Sequence, residues 1–152
     1  NMEGIKTDKT VVSVTVERVA RLTLLSKLDN HQTKTKIEVL AQRTKNLPEF
    51  FRGTITADNG AENTAHQELT ALTGMPVFFC HPYHSWEKGT VENMNGRIRK
   101  YFPKGEILHR GTPEEIARAE PKINRTPRKC LQFLTPYEKI LEIVEKEKRR
   151  RQ

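Results

Sequence analysis

A chain of 152 residues with 35% hydrophobic and 30% charged residues is long enough for one compact domain with a real core, which sets it apart from disordered and membrane-spanning compositions. No run approaches the roughly 18 apolar residues that a membrane helix needs, and the start has no signal-peptide pattern, so the expectation is a cytoplasmic protein with no membrane partner. The net charge of +8 and pI of about 9.7 favour a polyanionic partner, for which nucleic acid is the usual candidate.

Asn1-Met2-Glu3-Gly4 carries no start signal and leads toward a strand-like segment, so the chain reads as a piece of a longer protein with its first strand cut short. Val11 to Val16 is rich in Val and Thr, and Leu22 to Leu28 is a second β-compatible run. The polar stretch Glu17 to Arg21 between them reads as the turn of a hairpin. Thr35-Lys36-Ile37-Glu38 matches a capping box. It opens a helix in which Ile37, Leu40, Ala41 and Leu47 recur at helical spacing and which Pro48 ends. Gly53 to Ala57 is a short buried-strand candidate delivering Asp58 at its end.

A helix with Ala65, Leu69 and Leu72 on one face follows, closed by Gly74. Val77 to Cys80 reads as a strand, His81 to Gly89 as a loop, and Thr90 to Tyr101 as a helix that Pro103 terminates. Thr112-Pro113-Glu114-Glu115 and Thr135-Pro136-Tyr137-Glu138 each place Thr at the N-cap, Pro at the first position and Glu at the third. Hairpin strands followed by βα units predict an α/β domain, a mixed sheet flanked by helices, and the absence of repeats or linkers predicts one domain over residues 1–152. Cys80 and Cys130 lie far apart without metal-ligand spacing and read as free thiols. The run Lys146 to Arg151 reads as a solvated helix end.

Two carboxylates carry the chemistry. Asp58 stands at a strand end in Thr56-Ala57-Asp58-Asn59-Gly60-Ala61-Glu62, and Glu92 stands one turn into a helix in Gly89-Thr90-Val91-Glu92-Asn93-Met94-Asn95-Gly96. The 33 residues between them accommodate a helix, a strand and a loop, which can return the second carboxylate to the side of the first. Hard divalent cations take such oxygen ligands, and a pair of ions about 3.5–4 Å apart can activate the attacking oxygen and stabilise the leaving oxygen at phosphorus. The bland alternatives are an Asp capping an Asn-Gly turn and a first-turn Glu meeting the helix dipole. Both are compatible with metal binding.

The two motifs, extended by Pro82-Tyr83-His84-Ser85-Trp86-Glu87-Lys88, by Arg99-Lys100-Tyr101-Phe102-Pro103-Lys104-Gly105, by Asn124-Arg125-Thr126-Pro127-Arg128-Lys129 and by Thr135-Pro136, resemble the transposases of the IS-thirty family of bacterial insertion sequences. The resemblance covers essentially the whole chain. It implies a ribonuclease H-like, retroviral-integrase-like core in which an Asp, Asp, Glu triad binds two Mg²⁺, with Mn²⁺ able to substitute. Asp58 takes the second position and Glu92 the third. The first Asp falls just before Asn1, or Asn1 stands in its place; Asp8 lies after the glycine in a polar turn and is not assigned. His81 replaces an Asp common in the family, and Val91 a common Asn.

Helical spacing puts Glu92, Asn95, Gly96 and Arg99 on one face. Gly96 there suggests close approach of a backbone, either DNA or a packed helix. Arg99 is the first choice for a phosphate contact, with Arg97, Lys100 and Lys104 behind it, each set against a merely solvated charge. Trp86, with Tyr83 and His84, either stacks on an unpaired base or anchors its loop. A zinc site of Cys80, His81 and His84 lacks a fourth ligand at sensible spacing. The expected function is transposase catalysis on double-stranded DNA by a homo-oligomer. The alternatives are an inactive DNA-binding or assembly module of the same fold, or an integrase of the same superfold.

Overall fold

The computed structural model describes residues 11–28, 33–57, 65–81, 89–101 and 112–151. In chain order these form β1 (Val11–Val16), β2 (Thr23–Leu28), α1 (Thr33–Lys45), a 3₁₀ turn (Glu49–Phe51), β3 (Ile55–Ala57), α2 (Ala65–Thr73), β4 (Val77–Phe79), α3 (Gly89–Tyr101), α4 (Pro113–Asn124), a second 3₁₀ turn (Lys129–Leu131) and α5 (Pro136–Arg150). The domain is mixed α/β. None of its described helices is long and apolar enough to cross a membrane.

The β-branched run of β1 pairs antiparallel with β2, Val16 opposite Thr23 and Val11 opposite Leu28. The connection is tightly organised. The Glu17 N–H donates to the Leu22 carbonyl at 2.8 Å, and the Glu17 carboxylate accepts from the N–H groups of Val19 and Ala20 at 2.8 and 2.6 Å. β3 and β4 pair in parallel, Ile55 with Val77 and Ala57 with Phe79. The expected single mixed sheet is thus, among the described residues, two separate two-stranded ladders.

One cluster organises the core: Leu25 from β2, Met94 and Ile98 from α3, and Ile116, Ala119 and Ile123 from α4, with Val12, Val14 and Val16 of β1 packed against it. Met94 and Ile98 are four apart, as are Ala119 and Ile123, so each pair lies along one helical stripe. The outer edge of β2 is closed by side chains. Asn124, fully buried, accepts from the Thr23 N–H at 2.9 Å and donates to the Thr23 carbonyl at 2.8 Å. Two residues on, Glu120 accepts from the Leu25 N–H at 2.7 Å and also pairs with Arg43 of α1.

Both Thr-Pro signatures cap their helices as expected. Thr112 and Glu115 exchange bonds at the start of α4, and Thr135 and Glu138 do so at the start of α5. Backbone and Thr135 hydroxyl hydrogen bonds hold the Glu138 carboxyl below its usual range.

Several expectations need correction. α1 begins at Thr33, so Thr35 lies inside the first turn and is no cap, and the helix ends at Lys45, before Leu47 and Pro48. The strand expected from Gly53 begins at Ile55 and is only half-buried. β4 stops at Phe79, leaving Cys80 as a buried residue just beyond it. Leu72, grouped with Ala65 and Leu69 on one face, is exposed, while Leu69 is buried. Gly74 does close α2: its φ is +70° and its N–H reaches the Thr70 carbonyl at 2.8 Å.

Candidate active site

The two expected catalytic carboxylates stand differently in the structure. Asp58 lies outside the described residues, as do Lys104 and Trp86. What is described is the element that leads to Asp58. β3 ends at Ala57, whose carbonyl accepts from the Cys80 N–H at 3.0 Å, and the Ile55 N–H donates to the Pro76 carbonyl at 2.9 Å. His66 of α2 packs edge-on against Phe79 with ring centroids 5.6 Å apart, which fixes α2 to the strand beside β3.

Glu92 lies in the first turn of α3 and is exposed. Among the described residues its carboxylate has no hydrogen-bond or ion-pair partner. Met94 and Ile98 point α3 into the core, so at 100° per residue the stripe Glu92, Asn95, Gly96 and Arg99 is turned outward. Glu92, Gly96 and Arg99 are exposed and Asn95 partly so; spacing grouped them on one face and left its surroundings open. A Cβ built on Gly96 meets nothing within 4 Å. The packed-helix explanation for that glycine therefore has no support among the described residues, none of which covers the face there.

The basic residues divide between two sides of the helix. Arg99 shares the Glu92 stripe. Arg97 and Lys100 lie on another flank, where the half-buried Arg97 donates from Nε to Asn93 Oδ1 at 3.2 Å. At the start of α3, Arg21 of the β1–β2 connection donates from Nη1 to Thr90 Oγ1 at 2.5 Å. Sequence reading missed this contact, because 69 positions separate its partners and Arg21 lies outside the catalytic motif that contains Thr90.

The Asn124–Lys129 segment gains a physical role. Besides Asn124, Arg128 is buried and donates from Nη2 to the Ile123 carbonyl at 2.8 Å. These residues bind α4 to the hairpin and to the chain that follows.

No group of three or more His, Cys, Asp or Glu that could hold a metal occurs among the described residues. An exposed carboxylate that meets no partner among the described residues fits a hard divalent cation. The zinc alternative fares worse: Cys80 is buried and its neighbour His81 exposed, so their side chains occupy different environments.

Comparison with known proteins agrees with the motif reading. The chain is 37% identical over 129 residues to the transposase InsI of insertion sequence element IS30A from Escherichia coli, covering 85% of this chain and 34% of that protein. It is 47% identical over 110 residues to the transposase of element IS4351 from Bacteroides fragilis, covering 72% of this chain and 32% of the other. A putative integrase of a Spiroplasma virus is 27% identical over 142 residues, covering 91% of this chain and 44% of that protein. The chain thus spans about a third of the length of the transposases it matches. No family model matches.

Proposed function

We propose that this chain, a relative of the IS-thirty transposases over most of its length, is the catalytic core of a DNA transposase with a ribonuclease H-like fold. The observation that carries the reading is Glu92 in the first turn of α3, outward and without a partner among the described residues, on one stripe with Asn95, Gly96 and Arg99. An antiparallel hairpin, a parallel strand pair and a helix presenting that carboxylate are the parts such a fold requires.

The residues divide the work. Asp58 and Glu92, with one further carboxylate, would hold two Mg²⁺ or Mn²⁺ ions, which supply charge neutralisation at the attacking and leaving oxygens when bound. Arg99 would grip a phosphate on the Glu92 stripe, and at Gly96, where no described residue comes within 4 Å of an added Cβ, the sugar-phosphate backbone could pass beside it. Arg97, Lys100 and Lys104 would extend the contact, and Trp86 would stack on a base near the cleaved end.

Two in-line displacements follow. Water attacks the phosphorus at a transposon end, its proton passes to solvent, and the departing oxygen leaves as a 3′-hydroxyl. That hydroxyl then attacks a second phosphodiester, forming one new P–O bond as another breaks and frees a 3′-hydroxyl in the target. Positioning and charge stabilisation carry most of such catalysis. The protein would act as a homo-oligomer on double-stranded DNA, within the cytoplasm.

The test takes the full reading frame that encodes this chain, a labelled insertion-sequence-end duplex, and Mg²⁺ or Mn²⁺. Metal-dependent nicking and strand transfer are expected from the parent, and a loss on the order of 10²–10³-fold or more from Asp58→Asn and Glu92→Gln. Arg99→Ala should weaken DNA binding and lower the slope of log affinity against log salt by about 1. Binding without products would instead identify an inactive assembly module. Parental rates in both carboxylate variants would remove these residues from the active site.

A further inference from the structure

We infer that Arg21 is a positioning residue for the active site, holding the first turn of α3, and with it Glu92, through its bond to Thr90. The inference rests on the proposed transposase reading for its consequence, though not for its geometry.

Three observations converge on Arg21. Its backbone has φ of +59°, a left-handed conformation that costs a residue bearing a Cβ on the order of 1 kcal/mol or more. Asn or Gly would sit there with less strain. Such strain persists only where the surroundings over-determine it, and here they do. Ala20 and Leu22 on either side are buried. Glu17 ties down the turn through its carboxylate and its N–H. Thr23 is clamped to Asn124. The connection is a rigid mount, and the side chain it holds out is a guanidinium.

That guanidinium ends at Thr90 Oγ1, 2.5 Å away. Thr90 lies two positions before Glu92 at the start of α3. A cation is unfavourable there, because the N-terminal end of a helix carries the positive end of its dipole. The contact therefore combines a strained backbone with an adverse charge, which is a poor way to stabilise a fold. It does secure the one helical turn bearing the candidate catalytic carboxylate to the best-packed part of the molecule. Displacement of about 1 Å at a reacting centre can cost on the order of 10²-fold in rate, so restraint at this point has value for chemistry.

The test compares Arg21→Gly, Thr90→Val and Thr90→Ser in the full reading frame. Glycine removes the guanidinium and also relieves the positive φ. Arg21→Gly is expected to keep a Tm close to the parent's and unchanged DNA affinity. Strand transfer should fall on the order of 10²-fold. Thr90→Val should match it, and Thr90→Ser, which retains the acceptor, should restore the parental rate. Independently of activity, the amides of Asn93 and Met94, which bond the first carbonyls of α3 in a regular helix, should exchange about tenfold faster in Arg21→Gly and Thr90→Val. Parental exchange in both variants overturns the inference whatever the enzyme does. So does faster exchange with parental strand transfer, or a Tm that falls in step with the rate. An inactive parent with the expected exchange pattern would sink the transposase reading and leave the anchoring role standing.

Discussion

The β1–β2 hairpin with α3 and α4 is built differently from the β3–β4 pair with α2. The first region has six-residue strands, a shared apolar cluster and buried polar bonds that cross from helix to strand. The second has three-residue strands and leaves Phe78 57% and Leu72 40% exposed. Glu92 is mounted on the first, while Asp58 follows directly from the second. The difference teaches that the two expected catalytic carboxylates depend on supports of unequal rigidity, so lesions in the two regions should separate stability from activity.

The largest expected effect on stability is at Asn124. Asn124→Leu leaves the N–H and carbonyl of Thr23 buried without their partner, at about 1–3 kcal/mol for each group. Urea unfolding should show the midpoint falling with the slope unchanged. An unaffected midpoint would mean that the hairpin edge is supported in some other way.

Next comes a paired comparison. Ile98→Val in the shared cluster should cost about 0.5–1.5 kcal/mol, whereas Phe78→Ser on β4 should stay within about 0.5 kcal/mol, both read from the same denaturation curves. Equal costs would erase the distinction between the regions. A Phe78→Ser variant that is stable yet poor in DNA cleavage would sharpen it, because it would tie the exposed strand to function.

The smallest effect concerns α5, outside both regions. Hydrogen bonds from Lys139 and then Lys146 hold the partly exposed Glu142 carboxyl at about 2, below the ordinary 4.5. A folded-state value below the unfolded one stabilises the helix above 4.5, and that contribution is lost as pH falls toward 2. Because the pair lies at the surface, with Lys146 exposed and Glu142 partly so, salt should screen much of it. An NMR titration of the Glu142 side chain should show a depressed midpoint at low salt that climbs at high salt. A midpoint at the ordinary value in low salt would contradict the pairing.

Local chemistry was legible in the sequence, and long-range chemistry was not. Thr112 and Thr135 cap their helices as read, because a capping box is completed within four residues. The shared face on α3 was equally readable, since helical geometry alone groups Glu92, Asn95, Gly96 and Arg99, whereas its outward orientation came from the packing of Met94 and Ile98. Thr35 and Glu38 have the same spacing but fall inside α1, because a Thr-x-x-Glu pattern without a following proline does not fix where a helix begins. Leu72 fits the helical period of α2 yet is exposed, since periodicity cannot say how wide a partner surface will be. Asn124 reaches Thr23 across 101 positions, and no local rule assigns a buried amide to a strand edge. At the site, the place of Glu92 was readable, whereas Asp58 lies outside the described residues. Its support was anticipated as two separate strands, Gly53 to Ala57 and Val77 to Cys80, while their parallel pairing is a long-range fact that neither run states by itself.

The closed edge of β2 has a consequence for how the molecule behaves in company. An open hairpin edge offers its N–H and carbonyl groups to any passing strand, the route by which β proteins aggregate or exchange segments. Here the amide of Asn124 and the carboxylate of Glu120 occupy that edge at Thr23 and Leu25, imitating a neighbouring strand that cannot itself be extended. On the β2 side the ladder ends at a helix, so at Thr23 and Leu25 this edge is closed to a strand from another molecule.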